Sequence, residues 1–221
     1  MCFSLFAAEG GLSSFHYPVN EGRKDMLEYE NMDQGPDLNK RDIEFLYEVG
    51  CLRFIPRAWR QFLLPNFANL AEHTLRVMWT AATIAKYEKA DTGKVIKMAL
   101  VHDIGETIVG DVGTFVKGMA GGVFKNIEEE GVKALVEGLD SKDEIINLVS
   151  EYNERGSLEA RVVKAADNLD ALAQAKGVPG AKDALKYFKQ VYHITKFDWH
   201  KKAVDLILNG EVEPAREWQE K

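Results

Sequence analysis

Apolar residues recur every three to four positions from Asn39 onward, whereas the alternation of β-branched residues that is typical of strands is nearly absent. Pro56 and Pro65 interrupt this spacing within RFIPRAWRQFLLPNF and exclude a continuous helix there. The predicted helices cover about residues 39–51, 69–89, 93–104, 123–139, 142–154, 158–176, 181–192 and 199–208. The spacing therefore predicts an all-α fold with a single helical bundle over residues 37–221.

Composition limits the classes of protein to which the chain can belong. No apolar run approaches the roughly 20 residues of a membrane helix, so we expect no membrane partner. The net charge of -7 argues against a nucleic-acid partner, because phosphate backbones are bound by clustered Lys and Arg. Cys2 and Cys51 form no disulfide framework, which favours a reducing cytoplasm. Residues 1–36 lack a clear period, and we expect a variable or poorly ordered extension there.

Metal-binding residue types occupy core-facing positions on three predicted helices. His73 lies on the stripe that also contains Leu70 and Val77, and His102 continues the stripe of the following helix. Asp103 follows His102 directly, and Asp167 lies on the apolar edge of the helix over 158–176. Each residue taken alone has an ordinary alternative, since a core histidine is often only hydrogen-bonded and a helix phase shifted by one residue would expose Asp167.

A divalent cation would satisfy these four side chains together. An unpaired carboxylate costs several kcal/mol in a low-dielectric interior, so it persists only when it is paired, neutralised or bound to metal. Two imidazoles and two carboxylates form a mixed nitrogen and oxygen shell, which suits Mn, Fe, Co, Ni or Zn. The sequence thus predicts metal ligands at His73, His102, Asp103 and Asp167 without choosing the metal.

Four segments between Leu46 and Lys176 contain or flank these candidate ligands: IPRAW, NLAEHTLRVMWTA, ALVHDIGETIVGDV and RVVKAADNLDALAQA. They resemble motifs of the HD-domain superfamily of metal-dependent phosphohydrolases, in the branch of the bacterial 5'-deoxynucleotidases and their archaeal and eukaryotic relatives. The resemblance implies a single HD-domain bundle with its metal site between core helices, and it implies a homodimer. The chain departs from the family motifs at three points, which affect the expected substrate contacts more than the metal site. Gly113 replaces a common Pro, Asn168 replaces a common Lys, and one residue separates Arg57 from Trp59.

The resemblance also implies one metal ion, because members with two metals generally insert further histidines where this chain has none between Asp103 and Asp167. Such a cation lowers the pKa of a bound water and supplies the nucleophile. Glu106 follows Asp103 by one helical turn, so we assign it the proton-handling role. Arg57 is the candidate that stabilises phosphoryl charge in catalysis and binding, and Lys117 is a weaker one.

Further substrate contacts come from the same resemblance. It implies that Arg57 and Trp59 border the substrate, with Trp59 able to pack against sugar or base. It places Asp111 near the 3'-hydroxyl of the sugar, with Thr114 nearby. The segment GMAGG at residues 118–122 lacks the ending of a phosphate-binding loop, and we interpret it as a flexible flap.

The sequence therefore predicts a phosphoric monoester hydrolase of the 5'-deoxynucleotidase type, with a nucleoside 5'-monophosphate as substrate. Two alternatives stay open at this point. One is an HD-domain phosphodiesterase or pyrophosphohydrolase that acts on another nucleotide, and the other is a non-catalytic nucleotide or metal sensor.

Overall fold

The computed structural model describes residues 39–61, 68–176 and 191–209, without the side chains of residues 61, 114 and 115. Every regular element in these residues is a helix, which confirms the all-α fold class. The α-helices are α1 Lys40–Gly50, α2 Leu70–Glu88, α3 Thr92–Val101, α4 Glu106–Val109, α5 Thr114–Ala120, α6 Gly122–Leu135, α7 Lys142–Glu154, α8 Leu158–Ala175, α9 Tyr192–Thr195 and α10 Asp198–Asn209. The short 3-10 helices Cys51–Phe54 and Ala58–Gln61 lie between α1 and α2.

Side-chain caps explain why the longer helices begin where they do. Asn69 accepts a hydrogen bond from the main-chain N–H of Glu72, whose carboxylate accepts from the N–H of Asn69 in return. Asn39 begins α1 with the same reciprocal pair, and Ser157 caps α8 through the N–H of Ala160. Each cap satisfies main-chain donors that the first turn of a helix leaves without partners.

The core forms around α2, which packs against α3 and α8, while α7 packs against the same two helices. The predicted stripe on α2 is confirmed, because its members are buried: Leu70, His73, Val77, Ala81 and Ile84. Because α2, α3 and α8 all contact one another, each of them turns one face towards the same core. Burying apolar side chains there is the main favourable contribution to folding.

The spacing of apolar residues in the first helix predicts a packed face with Ile43, Leu46 and Tyr47, and this prediction is wrong. Ile43, Leu46 and Tyr47 are exposed, whereas Phe45 and Val49 pack against the core. The guanidinium of Arg41 also lies on this packed side, where it donates to the main-chain carbonyls of Leu135 and Glu137 at and just beyond the end of α6. The spacing predicted the helix, but the face that packs depends on contacts with other helices.

Two boundaries near the candidate site also differ from the prediction. The helix predicted over 93–104 ends at Val101, so His102 is its C-terminal cap and Gly105 precedes α4. The segment over 118–122 is helical on both sides of Gly121, because Gly118 belongs to α5 and Gly122 begins α6, and its role as a flexible flap stays a prediction. Between these helices Gly121 has a φ of 57°, which glycine adopts without steric cost.

A single antiparallel bridge fixes the segment before α2. The N–H of Leu70 donates to the carbonyl of Ile55 at 2.9 Å, and the N–H of Arg57 donates to the carbonyl of Ala68 at 3.3 Å. These hydrogen bonds hold the main chain of Arg57 beside the start of α2, and its side chain reaches Asp103, which follows the end of α3.

Two predictions concern residues that the structure leaves undescribed. The extension over 1–36 lies outside the described residues, as do residues 181–190 of the helix predicted over 181–192, and the division at residue 37 stays a prediction. Within the described part of the chain, no helix has both the length and the hydropathy needed to cross a bilayer.

Candidate metal centre and active site

Three predicted ligands meet where α2 and the end of α3 face each other. His73, His102 and Asp103 each offer one ligand atom, and these atoms all lie within 4.8 Å of one another. Asp103 Oδ2 lies 3.2 Å from His102 Nε2 and 3.6 Å from His73 Nε2. The group combines one residue of α2 with two residues that directly follow α3, the next helix in the sequence.

The fourth predicted ligand, Asp167, lies beside this group on α8 but is not one of the residues whose ligand atoms are all within 4.8 Å of one another. Its Oδ1 lies 3.4 Å from His73 Nε2. Its Oδ2 accepts hydrogen bonds from Tyr152 Oη at 3.2 Å and from Lys164 Nζ at 2.7 Å. One carboxylate oxygen therefore faces the histidines, while the other is held by neighbours on α7 and α8.

The histidine nitrogens fit a metal ion. His73 Nε2 and His102 Nε2 are buried and have no hydrogen-bond partner. Their other nitrogens are engaged, since His102 Nδ1 lies 2.7 Å from the carbonyl oxygen of Ala99 and His73 Nδ1 lies 2.7 Å from Asp170 Oδ2. Unpaired buried nitrogens are costly, and two imidazoles facing carboxylates form a donor set that suits divalent metals.

Electrostatics keep the two candidate carboxylate ligands ionised. Burial raises the pKa of Asp103, but His102 and Arg57 together hold that pKa far below its usual range. Burial likewise raises the pKa of Asp167, but Lys164 and His73 hold it well below the usual range. Both groups therefore carry the negative charge that a metal ligand needs.

Glu106 differs from these two carboxylates. It begins α4 and is buried, with Oε1 accepting from Lys117 Nζ at 3.0 Å and Oε2 3.8 Å from Arg57 Nη1. Burial and the charges of Asp103 and Asp111 raise its pKa well above the usual value, against the opposing effect of its two cations. A carboxyl group with a raised pKa holds a proton more readily than an ordinary carboxyl group does, which suits a role in general acid–base chemistry.

Arg57 is fixed by two carboxylates. Its Nη1 donates to Asp103 Oδ2 at 2.9 Å, and its Nε lies 3.2 Å from Asp111 Oδ2. The same Asp111 oxygen also accepts from the N–H of Ala58 at 2.9 Å. Although burial lowers the pKa of Arg57, these carboxylates raise it, so the guanidinium stays charged. Asp111 thus orients Arg57, which the sequence analysis did not predict.

Trp59 and Lys117 line one cavity of about 310 Å³, which Arg57, Glu106 and Asp111 also line. Trp59 is half-buried at one wall and packs against a small apolar cluster that includes Ala171 and Val204. Lys117 is shared between Glu106 and Glu128, whose Oε1 lies 2.7 Å from its Nζ. The side chain of Thr114 lies outside the described residues.

Several polar partners of the site were not predicted from the sequence. Asp170, Tyr152 and Lys164 hold predicted ligands in place, and none of them belongs to the predicted set. Helical spacing could have indicated two of them, because Asp170 shares the apolar edge of α8 with Asp167 and Lys164 precedes Asp167 by one helical turn. The contact from Tyr152 joins two helices, so helical spacing could not indicate it.

A model of the HD domain matches residues 49–206, which is most of the chain. This chain belongs to the HD-domain family. The 5'-deoxynucleotidase HDDC2 of Bos taurus is 30% identical over 176 residues, covering 77% of this chain and 84% of that protein. The 5'-deoxynucleotidase YGK1 of Saccharomyces cerevisiae is 31% identical over 150 residues, covering 63% of this chain and 68% of that protein. The family and the group of His73, His102 and Asp103 together indicate a divalent metal centre.

Solved structures share the fold of this HD-domain chain. A conserved hypothetical protein from Pyrococcus furiosus superposes with a TM-score of 0.60 at 24% identity, covering 76% of this chain and 99% of that one. A predicted metal-dependent phosphohydrolase from Magnetospirillum magnetotacticum superposes with a TM-score of 0.53 at 22% identity, covering 79% of this chain and 97% of that one. At such identities the likeness concerns the fold alone.

Proposed function

We propose that this HD-domain chain is a metal-dependent phosphohydrolase that removes the 5'-phosphate from nucleoside 5'-monophosphates, including those of deoxyribose. One observation carries the proposal: two partnerless histidine nitrogens face ionised carboxylates beside a carboxyl group with a raised pKa, at the wall of a cavity. Relatives that share about 30% of their residues with this chain carry the name 5'-deoxynucleotidase, which supports the choice of substrate.

We assign one divalent cation to His73, His102, Asp103 and Asp167, with Mn, Co, Fe, Ni and Zn all compatible with this donor set. When bound, such a cation supplies Lewis-acid chemistry, which lowers the pKa of water towards neutrality. The two histidines offer neutral nitrogens and the two aspartates offer charge. Four protein ligands leave room for water or a phosphate oxygen if the ion is five- or six-coordinate.

Glu106 moves the proton in this proposal. Its Oε2 has no hydrogen-bond partner, so it is available to accept a proton from the attacking water or to donate one to the departing 5'-oxygen. Lys117 fixes the other oxygen and keeps the carboxyl group oriented. General acid–base catalysis of this kind contributes typically about 10²- to 10⁴-fold in rate.

Arg57 stabilises the charge that develops on the phosphoryl group. Its planar guanidinium can form two parallel hydrogen bonds with phosphate oxygens, and Asp111 already holds it in one orientation. Lys117 adds a second positive charge at the same wall. We assign Trp59 to the sugar or base, and Asp111 and Thr114 to the sugar hydroxyl.

Phosphate release from purified protein tests the proposal. Wild type supplied with Mn²⁺ or Co²⁺ should hydrolyse dAMP or dCMP. His102→Ala should lose nearly all activity, and Glu106→Gln should lower kcat about 10²- to 10⁴-fold. His193→Ala is a matched control, because that histidine is exposed and does not line the cavity.

Two outcomes would contradict the proposal. Equal rates for wild type, His102→Ala and Asp167→Ala would exclude the assigned metal centre from the reaction. Hydrolysis of a cyclic nucleotide or of a pyrophosphate-linked nucleotide in preference to the monophosphates would show that the chain catalyses another reaction of the same superfamily.

We further propose that the protein is a homodimer located in the cytoplasm. Size-exclusion chromatography would test the dimer, and cell fractionation would test the location.

A further inference from the structure

We propose that Asp170 is a positioning residue of the metal centre, which holds His73 so that its Nε2 faces the ion. The inference rests on the metal site of the proposed function. It adds a residue that does not contact the ion and that the predicted ligand set does not contain. Its role is to fix the orientation and the tautomer of a ligand.

The geometry around Asp170 is specific. Its side chain is 4% exposed, and its Oδ2 lies 2.7 Å from His73 Nδ1. Gln174 Nε2 donates to the same oxygen at 2.6 Å. Arg76 Nε donates to Oδ1 at 2.6 Å, so both oxygens are engaged. Three donors from α2 and α8 therefore fix this carboxylate, and the carboxylate in turn fixes the histidine ring.

This contact decides which nitrogen of His73 can bind a metal. A carboxylate oxygen only accepts, so Nδ1 must carry the hydrogen of the 2.7 Å contact. Nε2 then keeps its lone pair, and Nε2 is the nitrogen that lies 3.4 Å from Asp167 and has no hydrogen-bond partner. A carboxylate partner also makes the imidazole a stronger ligand, because it increases the electron density on the ring.

The other candidate ligand is oriented differently. His102 Nδ1 lies 2.7 Å from the main-chain carbonyl of Ala99, within its own helical turn. No side-chain substitution removes that carbonyl, whereas Asp170 can be replaced. The centre thus has one histidine oriented by its own backbone and one oriented by a charged side chain from another helix.

Asp170 could instead serve only as a link between α2 and α8, because Arg76 on α2 contacts it too. The two roles separate in the variant Arg76→Met. That change removes the ion pair between the helices and keeps the apolar stem of the side chain, while the bond between Asp170 and His73 stays. A purely structural role predicts the same effect on metal binding for Arg76→Met as for the Asp170 variants.

Calorimetric titration of the metal-free full-length chain with Mn²⁺ tests the inference, together with thermal unfolding of the same samples. We expect Asp170→Asn to weaken Mn²⁺ binding about tenfold and Asp170→Leu to weaken it up to about 100-fold. Asp170→Asn keeps an acceptor but loses the charge, which explains the smaller effect. Arg76→Met should lower the unfolding temperature of the metal-free protein and weaken Mn²⁺ binding by less than Asp170→Asn does, because Gln174 still donates to the carboxylate that holds His73.

Each other outcome has a definite meaning. Equal Mn²⁺ affinity in wild type and in whichever Asp170 variant folds would overturn the inference, as would equal losses in Asp170→Asn and Arg76→Met. If wild type binds Mn²⁺ but releases no phosphate from nucleotides, the proposed function fails while the comparison of affinities still decides the role of Asp170. If wild type binds neither Mn²⁺, Co²⁺ nor Zn²⁺, both proposals fail.

Discussion

His200 shows how a single buried residue makes the stability of this protein depend on pH. It is fully buried on α10, with Nδ1 2.8 Å from Thr195 Oγ1 and Nε2 2.9 Å from Asn168 Oδ1. Burial lowers the pKa of His200 to about 4. The imidazole is therefore neutral in the folded protein over a range of pH in which it is charged in the unfolded chain.

We predict that His200 destabilises the protein on acidification. Between pH 6.5 and about 4 the unfolded chain binds a proton at this residue and the folded protein does not. The contribution of neutral His200 to the free energy of unfolding is therefore fully present above the pKa of this residue in the unfolded chain, 6.5. It decreases by up to about 3 kcal/mol as the pH falls from there to about 4. Urea unfolding of wild type and His200→Gln at pH 7.5 and pH 4.5 measures this loss.

Other groups also titrate in this range, so the comparison needs a matched variant. His193→Gln carries the same substitution at an exposed histidine and should keep the pH dependence of wild type. His200→Gln should lose less stability on acidification than either. An identical loss in all three proteins would show that His200 is not the group responsible.

At the scale of elements, the turn between α3 and α4 depends on a close approach to α6. A Cβ atom placed on Gly105 would lie 3.0 Å from Val132 Cγ2 and 3.3 Å from the carbonyl oxygen of Glu128. This turn carries Asp103 on one side and Glu106 on the other. The absence of a side chain at Gly105 therefore lets the predicted ligand and the predicted acid–base residue sit against a packed helix.

We predict that Gly105→Ala lowers the free energy of unfolding by about 1–3 kcal/mol, because α6 must shift to admit the methyl group. Gly118→Ala is the matched control. No atom lies within 4 Å of its added Cβ, and alanine favours the helical conformation of α5 by about 0.5–1 kcal/mol. Denaturant unfolding should therefore show a lower free energy of unfolding for Gly105→Ala and a higher one for Gly118→Ala, each relative to wild type. Equal effects would contradict a steric origin.

The individual helices also show what helical spacing predicts reliably and what it does not. The positions of α2, α7 and α8 agree with the prediction within about two residues, because long apolar stripes and polar caps are local signals. The end of α3 and the inner face of α1 were predicted wrongly. Both depend on contacts with other helices, which a local period does not encode.

At the scale of the whole molecule, the candidate metal centre lies where α2, α3 and α8 meet and contains buried polar atoms that have no hydrogen-bond partner. Partnerless nitrogens of His73 and His102 face the carboxylates of Asp103 and Asp167. A ligand that binds only the folded state stabilises it in proportion to the logarithm of its concentration. Metal binding should therefore be measurable as an increase in the free energy of unfolding of the whole protein.

We predict that Mn²⁺ raises the free energy of unfolding by about 2.7 kcal/mol when its concentration is 100 times its dissociation constant. Removal of metal with a chelator should lower the unfolding temperature to that of the metal-free protein. Thermal unfolding with and without Mn²⁺ measures the shift. His102→Ala should show no shift, and a shift equal to that of wild type in this variant would contradict the assigned ligands.

Local patterns in the amino-acid sequence were sufficient to predict an all-α chain, the positions of most of its long helices, and the polar residues that interrupt their apolar faces. These features follow from residues within a few turns of one another. The contacts between Asp170 and His73, between Asp111 and Arg57, and between Lys117 and both Glu106 and Glu128 are visible only in the packed structure. Hydrogen bonds between distant residues depend on distances and angles that are set only when the helices have packed.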